Sequence, residues 1–134
     1  MLSEDLNKIC KSTLISHLGI EFTEVAEGKI VAIMPVDSKT IQPQGILHGG
    51  ASLALIETVG SAGSFIMVDR EKYYVVGLEV NANHIKSVDS GLVTAVAKII
   101  HKGKRTHIWE VKITNDNNEL ISVGRITNMI VEII

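Results

Sequence analysis

Near the start of the chain, Leu6, Ile9, Cys10 and Leu14 recur at helical spacing. Ser3 can cap that helix, Glu4 and Asp5 occupy its first turn, and Gly19 stops it. The pattern then changes. Residues 20–26 and 29–36 read as strands around a turn at Glu27-Gly28, and residues 37–47, with Pro43 and Gly45, read as a loop. Next comes HGGASLALIETVGSAGSFIMV, residues 48–68, which predicts a buried helix that carries one charge, Glu57, in its middle. Asp69-Arg70-Glu71-Lys72 forms its polar exit. Everything beyond reads as β-structure: 73–83, rich in β-branched and aromatic residues, then 92–101, 106–114 and 120–134. Short turns join the last three into an antiparallel meander, and one long apolar helix against such a sheet is an α+β layer pair. No repeat or linker interrupts the 134 residues, which suit one domain with one core.

Composition narrows the partners. The net charge is −2, and the 13 basic residues are scattered, so nothing predicts nucleic acid as a partner. Polyanionic small molecules need only a local cluster of cations. The single cysteine, Cys10, excludes an intramolecular disulfide and falls on the apolar side of the first helix, as a small buried hydrophobe would. Five dispersed histidines lack paired ligand spacing, so no metal site or other cofactor is expected. The segment around Glu57 is too polar to predict a bilayer span, no signal peptide precedes it, and the expected location is cytoplasmic.

In the long helix, Leu53, Ile56, Ala62, Phe65 and Ile66 are the expected sheet-facing side. Gly60 and Gly63 interrupt it at a helix-propensity cost of up to ~1 kcal/mol each. They predict close approach by a partner chain, a slender ligand or the sheet itself. Glu57 has no basic residue within four positions, so no intrahelical ion pair satisfies it. A surface residue, a buried structural partner and a functional base or nucleophile are equally compatible with that. Gly45, Gly49 and Gly50 let backbone approach a ligand, and a helix starting there directs free N–H groups outward. A donor to charge on oxygen and a carboxylate are two parts of an acyl-transfer site. Gly49 and Glu57 are 57 − 49 = 8 positions apart, roughly 12 Å along a helix at ~1.5 Å per residue. Antiparallel helices from two subunits could unite them, which predicts a dimer with shared sites.

The run Gln42-Pro43-Gln44-Gly45-Ile46-Leu47-His48-Gly49-Gly50-Ala51-Ser52, followed by Glu57 and Gly60-Ser61, resembles the signature of hotdog-fold acyl-CoA thioesterases. The similarity points to the branch of phenylacetate-pathway and Arthrobacter-type 4-hydroxybenzoyl-CoA thioesterases. Together with Val76-Gly77-Leu78-Glu79-Val80-Asn81-Ala82-Asn83-His84, it is particularly similar to 1,4-dihydroxy-2-naphthoyl-CoA thioesterases. Gln44 stands where many relatives carry an aromatic residue. The resemblance implies a sheet wrapped around the long helix, a homodimer or homotetramer, and an acyl-CoA substrate with a small aromatic acyl group.

It also implies roles. Glu57 matches the nucleophile or general base, Gly49 the amide that polarises the thioester carbonyl, and Gln42 a group orienting the reactants. His48 matches a histidine positioning thioester or water, with a backbone-bonding helix-start role as the alternative. Ser61 matches a hydroxyl that aligns water. His84 resembles a position near the site mouth or nucleotide. Lys86, Ser87, Lys102, Lys104, Arg105 and Thr106 could meet coenzyme A phosphates, since cations and turn amides suit them. Two other readings stand beside hydrolysis: a hotdog hydratase or dehydratase, and a non-catalytic acyl-CoA-binding module.

Overall fold

The computed structural model describes residues 1–134. Its elements are α1 (Ser3–Ile9), α2 (Leu14–His17), β1 (Glu21–Ala26), β2 (Lys29–Pro35), α3 (Gly49–Met67), β3 (Tyr73–His84), β4 (Leu92–Lys102), β5 (Thr106–Thr114) and β6 (Leu120–Glu132). All strands join one antiparallel sheet in the order β1-β2-β4-β5-β6-β3. The predicted meander forms β4-β5-β6. β3 lies beyond it, because α3 carries the chain across the sheet from β2 to the opposite edge. The sheet curls around α3, which packs against β2 through β6. This is the hotdog architecture.

The expected N-terminal helix divides in two. Ser12 takes a left-handed backbone (φ 62), and Thr13 restarts a helix by accepting a hydrogen bond from Ile15 N at 3.2 Å. Leu2, rather than Ser3, occupies the first cap, and its N–H is held by the Asp5 carboxylate at 2.8 Å. Cys10 ends α1, half-buried against the core, and burial pushes its thiol pKa up.

α3 buries Ile56 as expected, but the rest of its buried side differs from the one its larger residues suggested. Ala51, Ser52, Leu55, Ile56, Val59, Gly60, Gly63 and Ser64 are buried, whereas Leu53, Ala62, Phe65 and Ile66 are only half-buried on its flanks. The curved sheet explains the shift: small residues on the concave side let the helix axis come close. A methyl group on Gly63 would run into the Trp109 indole, and one on Gly60 into Ile126. Both glycines therefore serve the sheet, and neither faces a partner or ligand. By length and mean hydropathy (1.3), α3 could cross a membrane, contrary to the expectation that it is too polar; here it is the core helix.

Polar groups also hold the helix to the sheet. Ser64 Oγ lies 2.8 Å from His107 Nδ1, 2.9 Å from Trp109 Nε1 and 3.0 Å from Asn128 Nδ2. Asn128 also donates to the Gly60 carbonyl at 3.1 Å.

Candidate active site

His48 caps α3, its Nδ1 accepting from Gly50 N at 2.7 Å. The ring is exposed, and that bond fixes its proton on Nε2. The backbone-bonding role weighed for His48 is therefore present. Gly49, the first helical residue, keeps an N–H with no acceptor in the chain, as expected of a helix start. Gly49 lines a cavity of about 290 Å³ together with Gln42, Ser52, His84, Lys86, Ser87 and Ser122 among others. The tip of the His84 ring stands against Gly49: a Cβ there would lie 2.7 Å from His84 Nε2. Glycine is required for that approach.

Gln42 belongs to a tight turn closed by Gln42 N to Ile46 O at 2.9 Å, with Gly45 at φ 81. Its side-chain amide is engaged by Gln44, from whose backbone N–H it accepts. Lys86 is paired with Glu119. The Glu119 carboxyl is held below the usual carboxylate range by hydrogen bonds from Asn115 and then from Lys86.

Glu57 is not buried. It is exposed on the single chain, and its carboxylate fills the space that a Cβ on Gly77 would need. It lines a second cavity, about 300 Å³, with Gly50, Leu53, Thr58, Val80 and the apolar residues of α2. Thr58 turns its hydroxyl to the Ala54 carbonyl at 2.7 Å, and Ser61, one turn beyond Glu57, lines neither cavity. The structure thus brings Gln42, Gly49, His84, Lys86 and Ser87 together and leaves Glu57 in a separate recess of the same chain.

Lys104, Arg105 and Thr106 lie elsewhere. Thr106 pairs with Met129, one rung beyond Asn128, which pairs with Gly77 under Glu57. His84 pairs with Ser122, so 129 − 122 = 7 residues of β6 separate the two ends, roughly 23 Å at ~3.3 Å per residue. The basic turn sits at the Glu57 end, away from Lys86 and Ser87. Sequence reasoning missed Ser122, whose importance comes only from its pairing across strands. It also missed the contribution of Leu14, Ile15 and Leu18 to the Glu57 recess, since their helical spacing reads as ordinary core.

A strongly curved antiparallel sheet around one helix is the hotdog fold, and here a free amide stands at the helix start with a carboxylate two turns on. The profile of the Thioesterase superfamily matches residues 44–122. The 1,4-dihydroxy-2-naphthoyl-CoA hydrolase of Escherichia coli is 39% identical over 127 residues, covering 95% of this chain and 93% of that protein. The proofreading thioesterase EntH of Cronobacter turicensis is 38% identical over 130 residues, covering 97% and 94%. A crystal structure of a mutant thioesterase from Pseudomonas aeruginosa superposes with a TM-score of 0.95 at 44% identity, covering 98% and 94% of the two chains. The chain belongs to the thioesterase superfamily, and it is a thioester hydrolase.

Proposed function

We propose that this protein hydrolyses the coenzyme A thioester of a small aromatic acid, in sites shared between two copies of the chain. In each site Glu57 of one copy acts as nucleophile or general base, and Gly49 N–H of the other holds the developing oxyanion. The observation that carries this reading is the separation of a free donor and an exposed carboxylate into two recesses along one strand. Glu57 abuts Gly77 and Gly49 abuts His84, 84 − 77 = 7 residues apart on β3. β3 is the outer strand, with unpaired backbone groups on one side and with Tyr74, Val76 and Leu78 exposed at 50%, 38% and 55%. Such an edge invites a second strand. Antiparallel pairing of two β3 strands about an axis midway between 77 and 84, at Val80–Asn81, sets Gly77 of one copy opposite His84 of the other. Each carboxylate then meets the other copy's free amide.

The chemistry follows from what a thioester lacks in water. Its carbonyl needs an activated nucleophile and a fixed donor for the charge on oxygen. With Glu57 as base, the carboxylate takes a proton from water, the hydroxide oxygen bonds to the acyl carbon, and the carbonyl electron pair moves onto oxygen against Gly49 N–H. As that pair returns, the C–S bond breaks and the thiolate leaves; the proton held by Glu57 passes to the thiolate or to solvent. Two relatives named above act, by name, on an aromatic acyl-CoA or as a thioesterase, which favours the substrate class. Thiol release from a panel of aromatic and aliphatic acyl-CoAs tests the reading. Aromatic substrates should be cleaved fastest, and Glu57→Ala should lower that rate at least ~100-fold while acyl-CoA binding persists. A wild-type protein that binds acyl-CoA without releasing thiol would indicate the binding module instead.

A further inference from the structure

Ser122 is fully buried at the base of the Gly49 cavity, paired across strands with His84, and its Oγ lies 2.9 Å from His84 Nδ1. No other side-chain or backbone group of the chain hydrogen-bonds that hydroxyl. A serine hydroxyl has one hydrogen, and a neutral imidazole has one N–H and one bare nitrogen. If His84 carried its proton on Nδ1, it would donate to Ser122, and the buried serine hydrogen would be left without an acceptor, an arrangement proteins avoid. With the serine donating to Nδ1 both the buried hydroxyl and Nδ1 are satisfied, and the imidazole proton is placed on Nε2. Nε2 is the ring atom that stands against Gly49, beside the one free N–H at the start of α3.

We infer that Ser122 is a positioning residue that locks His84 as an Nε2–H donor, and that His84 is a second donor, next to Gly49 N–H, to the thioester oxygen. This rests on the hydrolytic reading above and gives His84 a part in the chemical step, beyond the place near the site mouth or nucleotide expected from sequence. A second fixed donor suits the chemistry, because an oxyanion accepts more than one hydrogen bond and removal of one such donor typically lowers kcat by ~10²–10³.

The test combines kinetics with the tautomer itself. His84→Ala should lower kcat by about 100-fold with little change in KM, Ser122→Ala should lower it by about 10-fold, and the double variant should match His84→Ala, because the serine acts only through the ring. Nitrogen-15 chemical shifts of the His84 ring should report the Nε2–H tautomer in the wild type and a mixture of tautomers in Ser122→Ala, with Ser122→Thr restoring the wild-type signature. An Nδ1–H tautomer in the wild type would overturn the inference whatever the activity. So would a Ser122→Ala defect of equal size with and without His84, or a His84→Ala defect confined to KM. Those results, in an enzyme still dependent on Glu57, would leave the hydrolytic reading intact. A wild type that cleaves no acyl-CoA would remove both.

Discussion

One serine sets the tautomer of His107. Trp109 and Asn128 both donate to Ser64 Oγ, so the hydroxyl's own hydrogen goes to His107 Nδ1. A proton added at Nδ1 would meet an oxygen that already accepts two hydrogen bonds. Burial, then the nearby positive charges of Lys102 and His101, hold the imidazole below its ordinary pKa of 6.5. The unfolded chain therefore takes up a proton near pH 6.5 while the folded chain does not. This contribution to stability is complete above that value and declines as pH falls through it, until the folded imidazole itself titrates. Urea unfolding of the wild type should weaken between pH 7 and 5.5. In His107→Gln, which keeps an acceptor for Ser64, that part of the slope should vanish. Equal slopes in the two proteins would show that His107 has no part in it. The same bookkeeping of donors and acceptors gives His84 its tautomer, so two buried serines each set the state of a histidine in this small domain.

At the scale of elements, the contact between α3 and the sheet depends on what the helix lacks. Gly63 lies under the Trp109 ring, whose Cζ2 would stand 2.5 Å from an added Cβ. Gly63→Ala gains helix propensity but must push a fully buried indole aside, and the overpacking should dominate, destabilising by about 1–3 kcal/mol in chemical denaturation. A variant as stable as the wild type would mean that the indole can move freely. These contacts also mark where the sequence was legible. Element type was readable because the periods differ: alternation along 92–101 and 106–114 against continuous apolarity along 48–68. The buried side of α3 was not, because the largest residues normally mark it, whereas the curved sheet here takes small residues beside Leu55, Ile56 and Val59 and leaves Leu53, Phe65 and Ile66 on the flanks. The break at Ser12 depends on one left-handed residue, and the placing of β3 on the outer edge depends on long-range pairing that no local pattern encodes. At the site, the Gly49 amide was readable as a helix start, and Glu57 as an unexplained charge. Its exposure, and its seat over Gly77, needed the fold.

For the whole molecule, one chain holds Glu57 and the Gly49 amide, the two halves of the proposed site, beside Gly77 and His84, 84 − 77 = 7 residues apart along the edge strand β3. Neither half has its counterpart within reach, and an antiparallel pair of β3 strands supplies it twice over by symmetry. In the proposed arrangement Glu57 and Gly49 of one site come from different copies, and assembly becomes a condition of activity. Gly49→Pro is the matching variant to Glu57→Ala. The backbone suits proline, which is accepted at the first position of a helix and after the extended His48 (φ −68, ψ 129); the substitution deletes the N–H in question, and its Cβ also displaces the His84 ring of the same chain, so the whole donor half is lost. Each variant alone should be nearly inactive. The decisive measurement is thiol release after the two inactive variants are unfolded together, refolded as a mixture and assayed on an acyl-CoA that the wild type cleaves. Random pairing makes half the dimers hybrid, and each hybrid carries one site with both defects and one with neither. Shared sites therefore predict recovery to about a quarter of wild-type activity. A mixture no more active than its two components would contradict the account, because it would mean that Glu57 and Gly49 act within one chain.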